Sequence, residues 1–131
     1  MIKKIKVLVI GCGNMGASHA TAYHNHKGFE ICGLVSRGNS KDILNNSLKS
    51  NYKTFSDYKL AILETKPDAV CISTYPDTHE EISLYALQNE CHIFLEKPIA
   101  ADLKGSRKII EKAEDRNRKL VIGYILRHHP I

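Results

Sequence analysis

The sequence has no tryptophan, so ligand binding would give no indole signal, and it has no uninterrupted apolar run near the ~18 residues of a membrane span. Its first apolar stretch, Val7 to Ile10, is too short for the core of a signal peptide and runs directly into glycines. The chain therefore reads as cytoplasmic. Its four cysteines, Cys12, Cys32, Cys71 and Cys91, form no CxxC pair, and three of them lie in or beside apolar runs. Buried free thiols are expected rather than a metal or redox centre. The seven histidines do not change this, because His24 and His26, two apart, cannot share a helix face. No metal site is expected. Repeats, low-complexity tracts and linkers are also lacking.

Acidic residues are outnumbered 14 to 19 by Lys and Arg, which raises the question of nucleic acid. The basic residues concentrate in one stretch, Lys104, Arg107, Lys108, Lys112, Arg116, Arg118 and Lys119, interleaved with Glu111, Glu114 and Asp115. That is the pattern of a solvated helix face, and no nucleic-acid partner is expected. A modest positive field also suits a polyanionic ligand.

What is present is an alternation of two periods. Apolar strand-like runs are expected at Lys4–Ile10, Phe29–Val35, Thr54–Phe55, Ala69–Ser73, His92–Leu95 and Leu120–Tyr124. Between them the pattern predicts helices over Met15–Asn25, from Ser40 as cap to Leu48, from Ser56 as cap to Glu64, from Asp77 or Thr78 to about Asn89, and from Asp102 as cap to about Asn117. Short connections and sixfold alternation imply one α/β domain, a doubly wound parallel six-stranded sheet.

Gly11-Cys12-Gly13-Asn14-Met15-Gly16 fits GxGxxG, and its position between the first strand and first helix gives the motif its weight. Gly11 permits the turn, Gly13 lets a pyrophosphate approach the backbone, and Gly16 lets helix and strand pack closely. A dinucleotide is therefore expected at the helix start. The end of the second strand, where an acid would bind the ribose of NAD(H), reads Val35-Ser36-Arg37, with no acid before Asp42. Ser36 and Arg37 suit a 2′-phosphate, which favours NADP(H) over NAD(H); the other reading of Arg37 is a surface turn residue.

Two further stretches, Ser73-Thr74-Tyr75-Pro76-Asp77-Thr78-His79 and Glu96-Lys97-Pro98, follow the fourth and fifth strands. With the glycine loop, His19 and the closing Gly123-Tyr124-Ile125-Leu126-Arg127-His128-His129-Pro130, they resemble the Gfo/Idh/MocA family of oxidoreductases over the whole chain. The closing stretch departs from the family by carrying histidine where an aromatic is usual.

The resemblance implies a Rossmann cofactor domain in which Thr74, Tyr75 and Pro76 line the dinucleotide and Glu96 and Lys97 reach its nicotinamide end. It makes Lys97 the catalytic residue, a cation beside the oxygen of a sugar, polyol or related substrate. Pro98 would fix the loop, in cis or trans. His79 is divided between ligand contact and packing, His19 is expected to pack, and Arg127 is not counted as catalytic. The resemblance also implies a substrate domain after the crossover begun by residues 123–131, so residues 1–122 form the cofactor domain. That absent half would carry the catalytic histidine, and His128 and His129 are no substitute for it.

The chain is read as a fragment of a longer enzyme or a short reading frame, weak in cofactor binding and nearly without turnover alone. The alternatives are a non-catalytic dinucleotide-binding or redox-sensing module and, less favoured, an interaction protein using its interdomain face. Oligomeric state stays open, with Tyr124 to Ile131 offering an uncovered face for a homo-oligomer.

Overall fold

The computed structural model describes residues 3–122. Its strands are β1 (Ile5–Ile10), β2 (Phe29–Val35), β3 (Thr54–Phe55), β4 (Ala69–Ile72), β5 (His92–Leu95) and β6 (Leu120–Ile122). Its helices are α1 (Asn14–His24), α2 (Ser40–Leu48), α3 (Tyr58–Thr65), α4 (Pro76–Gln88) and α5 (Leu103–Asp115). All five strand pairings are parallel, in the order β3-β2-β1-β4-β5-β6. The order reverses between β1 and β4, the place where open α/β sheets bind ligands. This is the doubly wound sheet expected from the sequence. Among the described residues no helix is long and apolar enough to cross a membrane.

The strands are apolar at consecutive positions because both faces of the sheet are covered. Leu8 and Ile10 of β1, Val70 and Ile72 of β4, and Ile93 and Leu95 of β5 pack with Ala61 and Ile62 of α3, Ile82 and Ala86 of α4, and Ile109 of α5. Their alternates, Val7, Val9, Cys71 and Phe94, face Ala20 of α1 and Leu44 of α2. In β2 the alternation breaks. Val7 pairs with Ile31 and Leu8 with Gly33, so Cys32 is an extra residue and Ile31 and Leu34 both reach the α1 face.

Helix starts differ from expectation by one or two residues, each for a local reason. Asp57, not Ser56, caps α3, because its carboxylate accepts from Lys59 N at 2.9 Å. Asn39 precedes α2 without a side-chain cap bond, so Ser40 is the first helical residue. Pro76, not Asp77 or Thr78, opens α4, since a proline at the first helical position loses no intrahelical bond. Asp102 caps α5 as expected, accepting from Gly105 N at 2.7 Å. The last residues expected in β6, and the whole stretch from Gly123 to Ile131 with Arg127, His128 and His129, lie outside the described residues.

All four cysteines are free thiols, and Cys12, Cys71 and Cys91 are buried. Burial pushes the Cys12 thiol up to about 11 and Cys71 and Cys91 to about 12, which makes them packing groups rather than nucleophiles.

His92 opens β5 at the opposite end of the sheet from the glycine loop, and its Nδ1 accepts from Lys119 N at 2.9 Å. Burial, then the charges of Arg118 and Lys119, lower its pKa below the ordinary value. The neutral ring thus favours the fold, a contribution complete above the unfolded value of about 6.5 and lost as pH falls through the lower folded value. The difference in urea midpoint between the parent and His92→Asn is expected to shrink from pH 7.5 to pH 5. A difference constant across that range would contradict this account.

Candidate cofactor site

Four loops leave the carboxyl ends of adjacent strands, and the hydrogen bonds of the sheet continue into them. Gly11 N donates to Val35 O at 2.9 Å, Ser36 N to Phe55 O at 3.1 Å, Ser73 N to Ile10 O at 2.8 Å and Glu96 N to Ile72 O at 3.1 Å. This places the glycine loop, Ser36-Arg37, Thr74-Tyr75-Pro76 and Glu96-Lys97-Pro98 side by side on one rim, as the sequence suggested.

Within the glycine loop the three glycines answer to different constraints. Gly11 has φ +97°, and a Cβ there would stand 2.5 Å from Ser73 O, so the turn and the neighbouring loop both require glycine. A Cβ on Gly16 would overlap the Gly11 carbonyl. Gly13 has ordinary extended backbone, φ −74°, and a Cβ there would meet nothing within 4 Å. The fold itself does not demand glycine at position 13, and the space beside its backbone is open to an external group. Gly13 is also the N-cap of α1, which has no side-chain cap bond and no acidic residue in its first turn. The positive end of the helix dipole is thus left to an outside anion. These features fit a dinucleotide pyrophosphate. Cys12 turns inward with its thiol 3.5 Å from Val35 O, so toward a ligand it offers backbone alone.

The β2–α2 loop is held by a residue that sequence reasoning passed over. Lys41 Nζ donates to Ser36 O at 3.0 Å and Gly38 O at 2.5 Å, and its backbone N–H donates to Ser36 Oγ at 3.2 Å. Ser36 Oγ in turn donates to Gly38 O at 3.1 Å. The loop is therefore shaped around an ammonium group, with Arg37 exposed beside it. Lys41 lies five residues beyond Ser36, a spacing at which only the fold reveals proximity.

Thr78 Oγ1 donates to Tyr75 O at 2.6 Å, which obliges Thr74 Oγ1 to donate to Thr78 Oγ1, also at 2.6 Å. The Thr74 oxygen stays available as an acceptor next to Gly11. Tyr75 is 81% exposed at the start of α4.

The Glu96 carboxylate accepts from His19 Nε2 of α1. His19 is 7% exposed, its ring edge-on to Phe94 with centroids 4.7 Å apart. It packs, as expected, and also anchors the β5–α5 loop. His79 is fully buried, with Nδ1 2.8 Å from Pro98 O and Nε2 3.1 Å from Thr74 O. Its ring sits behind two loops and not at their surface. Lys97 is exposed, and its bond to Pro98 is cis. Among the described residues no group of three or more metal-binding side chains occurs.

The sequence profile of an oxidoreductase family with an NAD-binding Rossmann fold, Gfo/Idh/MocA, matches residues 5–124. The chain is similar to inositol 2-dehydrogenase of Paracoccus denitrificans, 29% identical over 130 residues, which are 96% of this chain and 38% of the relative. It is 30% identical over 122 residues to UDP-N-acetylglucosamine 3-dehydrogenase of Acidithiobacillus ferrooxidans, covering 93% of this chain and 37% of that one. Its backbone superposes on scyllo-inositol dehydrogenase from Lactobacillus casei, solved with NAD(H) and scyllo-inositol, with TM-score 0.86 and 25% identity. That match covers 95% of this chain and 37% of the other. The chain thus spans under two-fifths of the length of these relatives. With its glycine loop, strand order and rim, the chain belongs to the Gfo/Idh/MocA oxidoreductase family and carries that family's NAD-binding Rossmann fold.

Proposed function

We propose that this chain holds the nicotinamide cofactor, NADP(H) in preference to NAD(H), of an oxidoreductase acting on a sugar, polyol or related alcohol. The observation that carries the reading is the open space at Gly13 on an uncapped helix start, in line with a rim that ends at Lys97. When bound, the cofactor would supply the hydride acceptor or donor. The chain's own residues divide the remaining work by position.

The amides of Gly13, Asn14, Met15 and Gly16 hold the pyrophosphate, and Ser36 and Arg37 hold the 2′-phosphate, with Lys41 adding charge to the same loop. Thr74, Tyr75 and Pro76 line the ribose and ring beyond. Lys97 stands at the nicotinamide end, where its ammonium favours negative charge on the substrate oxygen and passes a proton to or from it. Glu96, tied to His19, acts by keeping that loop in place. Residues 1–122 serve as the cofactor domain. The reading places the substrate half, with its proton-transferring histidine, after the cofactor domain.

The experiment is Lys97→Gln in the enzyme to which this region belongs. Hydride transfer is expected to fall about 10²–10⁴-fold, the usual worth of a positioned proton donor, while dinucleotide affinity changes little because the phosphates are held elsewhere. An unchanged rate of transfer would remove Lys97 from the chemistry.

A further inference from the structure

The peptide that carries Lys97 is pinned from both sides. Before it, Glu96 is held through its side chain by His19 of α1. After it, the carbonyl of Pro98 lies 2.8 Å from His79 Nδ1 of α4, and the same ring reaches back to Thr74 O at 3.1 Å. His79 therefore spans the two loops that flank the nicotinamide end of the rim. It has no exposed surface, so it acts on a ligand only through those loops.

Both of its partners are carbonyl oxygens, which only accept. A neutral imidazole has one N–H, and the shorter contact gives that hydrogen to Nδ1, donated to Pro98 O. We infer that His79 is a positioning residue, whose Nδ1–H bond to Pro98 O fixes the Lys97–Pro98 peptide against α4 and so sets where the Lys97 amine stands beside a bound dinucleotide. This rests on the proposed role of Lys97. It gives the helix that begins at the Thr74-Tyr75-Pro76 turn a second task, because a shift of that turn on cofactor binding is carried through one ring to the lysine. Groups of this kind matter because a reacting side chain held loosely loses much of its effect.

Two substitutions separate the two contacts of the ring, of which only that to Pro98 O is a hydrogen bond. In His79→Asn the amide nitrogen falls near the place of Nδ1, and in His79→Gln near the place of Nε2. The first test needs no variant: nitrogen-15 NMR of this chain is expected to show a protected ring N–H on Nδ1 of His79, and a ring without a hydrogen on Nδ1 overturns the inference.

Next, the backbone amides of Glu96, Lys97 and Ile99 are expected to stay ordered in His79→Asn and to become mobile in His79→Gln, with the rest of the sheet unchanged. Finally, with lysines carbon-13 dimethylated and the Lys97 signal assigned by its loss in Lys97→Arg, addition of NADPH is expected to move that signal in the parent and in His79→Asn. In His79→Gln the movement is lost, while NADPH affinity changes by no more than about threefold, since the phosphate loops are untouched. Equal loop order in the two variants, or a retained Lys97 response in His79→Gln, overturns the inference. If NADPH binds the parent and leaves the Lys97 signal unmoved, the placement of Lys97 fails instead, and the loop-order comparison still decides the role of His79.

Discussion

A chain carrying Gly16→Ala is expected to lose most of its stability, while Gly13→Ala, three residues away, melts nearly as the parent does and binds dinucleotide at least about tenfold more weakly. The first follows from overlap: a Cβ on Gly16 occupies the space of the Gly11 carbonyl, backbone that is itself fixed by its bond to Val35 O. Backbone overlap of this kind belongs to the rare class of substitutions costing about 4 kcal/mol or more. In a domain of this size that lowers the melting temperature by roughly 15 °C or more.

At Gly13 the backbone is accessible to alanine and the new methyl meets nothing, so the fold loses only the N-cap preference of glycine over alanine, about 1 kcal/mol or less. The methyl then stands where a pyrophosphate must approach, and affinity is expected to fall at least about tenfold. Thermal melts with calorimetry on the two variants check both halves. A Gly13→Ala chain that binds as well as the parent would place the phosphates elsewhere.

Removing the charges of the β2–α2 loop is expected to change the choice of cofactor. Arg37→Ala should weaken NADPH about tenfold or more, the worth of one charge-assisted bond, and leave NADH nearly unaffected. Lys41→Ala should do the same and also loosen the loop, because its ammonium bridges Ser36 O and Gly38 O. Replacing Lys41 by Met, which keeps the aliphatic stem, separates packing from charge. Affinities for both cofactors, measured by calorimetry at fixed ionic strength, decide the matter. Equal losses for NADPH and NADH would show the loop to be generally structural rather than a reader of the 2′-phosphate.

The fold was legible because its signals are local. Phe29–Val35 and His92–Leu95 are apolar runs bounded by turn residues, and the strands occupy those limits. Helix starts were less so, since Ser56 and Asp57 are both good caps and only the geometry at Lys59 N chooses between them. The extra residue at Cys32 was hidden because β2 is buried on both faces, so one inserted apolar residue leaves no break in the pattern. The order of loops on the rim followed from strand order, but their fastenings did not. His19 and Glu96 are 77 residues apart, and His79 and Pro98 are 19 apart, distances over which a single sequence carries no pairing signal. Lys41 carried no signal of its own, since nothing in the sequence shows its side chain folding back to the Ser36 and Gly38 carbonyls.

The most direct test is a calorimetric titration of this chain with NADPH and NADH, with its fold verified by circular dichroism in the same buffer. The account predicts that both bind, that NADPH binds tighter, and that Gly13→Ala weakens both at least about tenfold. A folded chain that takes up neither, even at millimolar cofactor, would contradict it and leave the glycine loop as a feature of the fold alone.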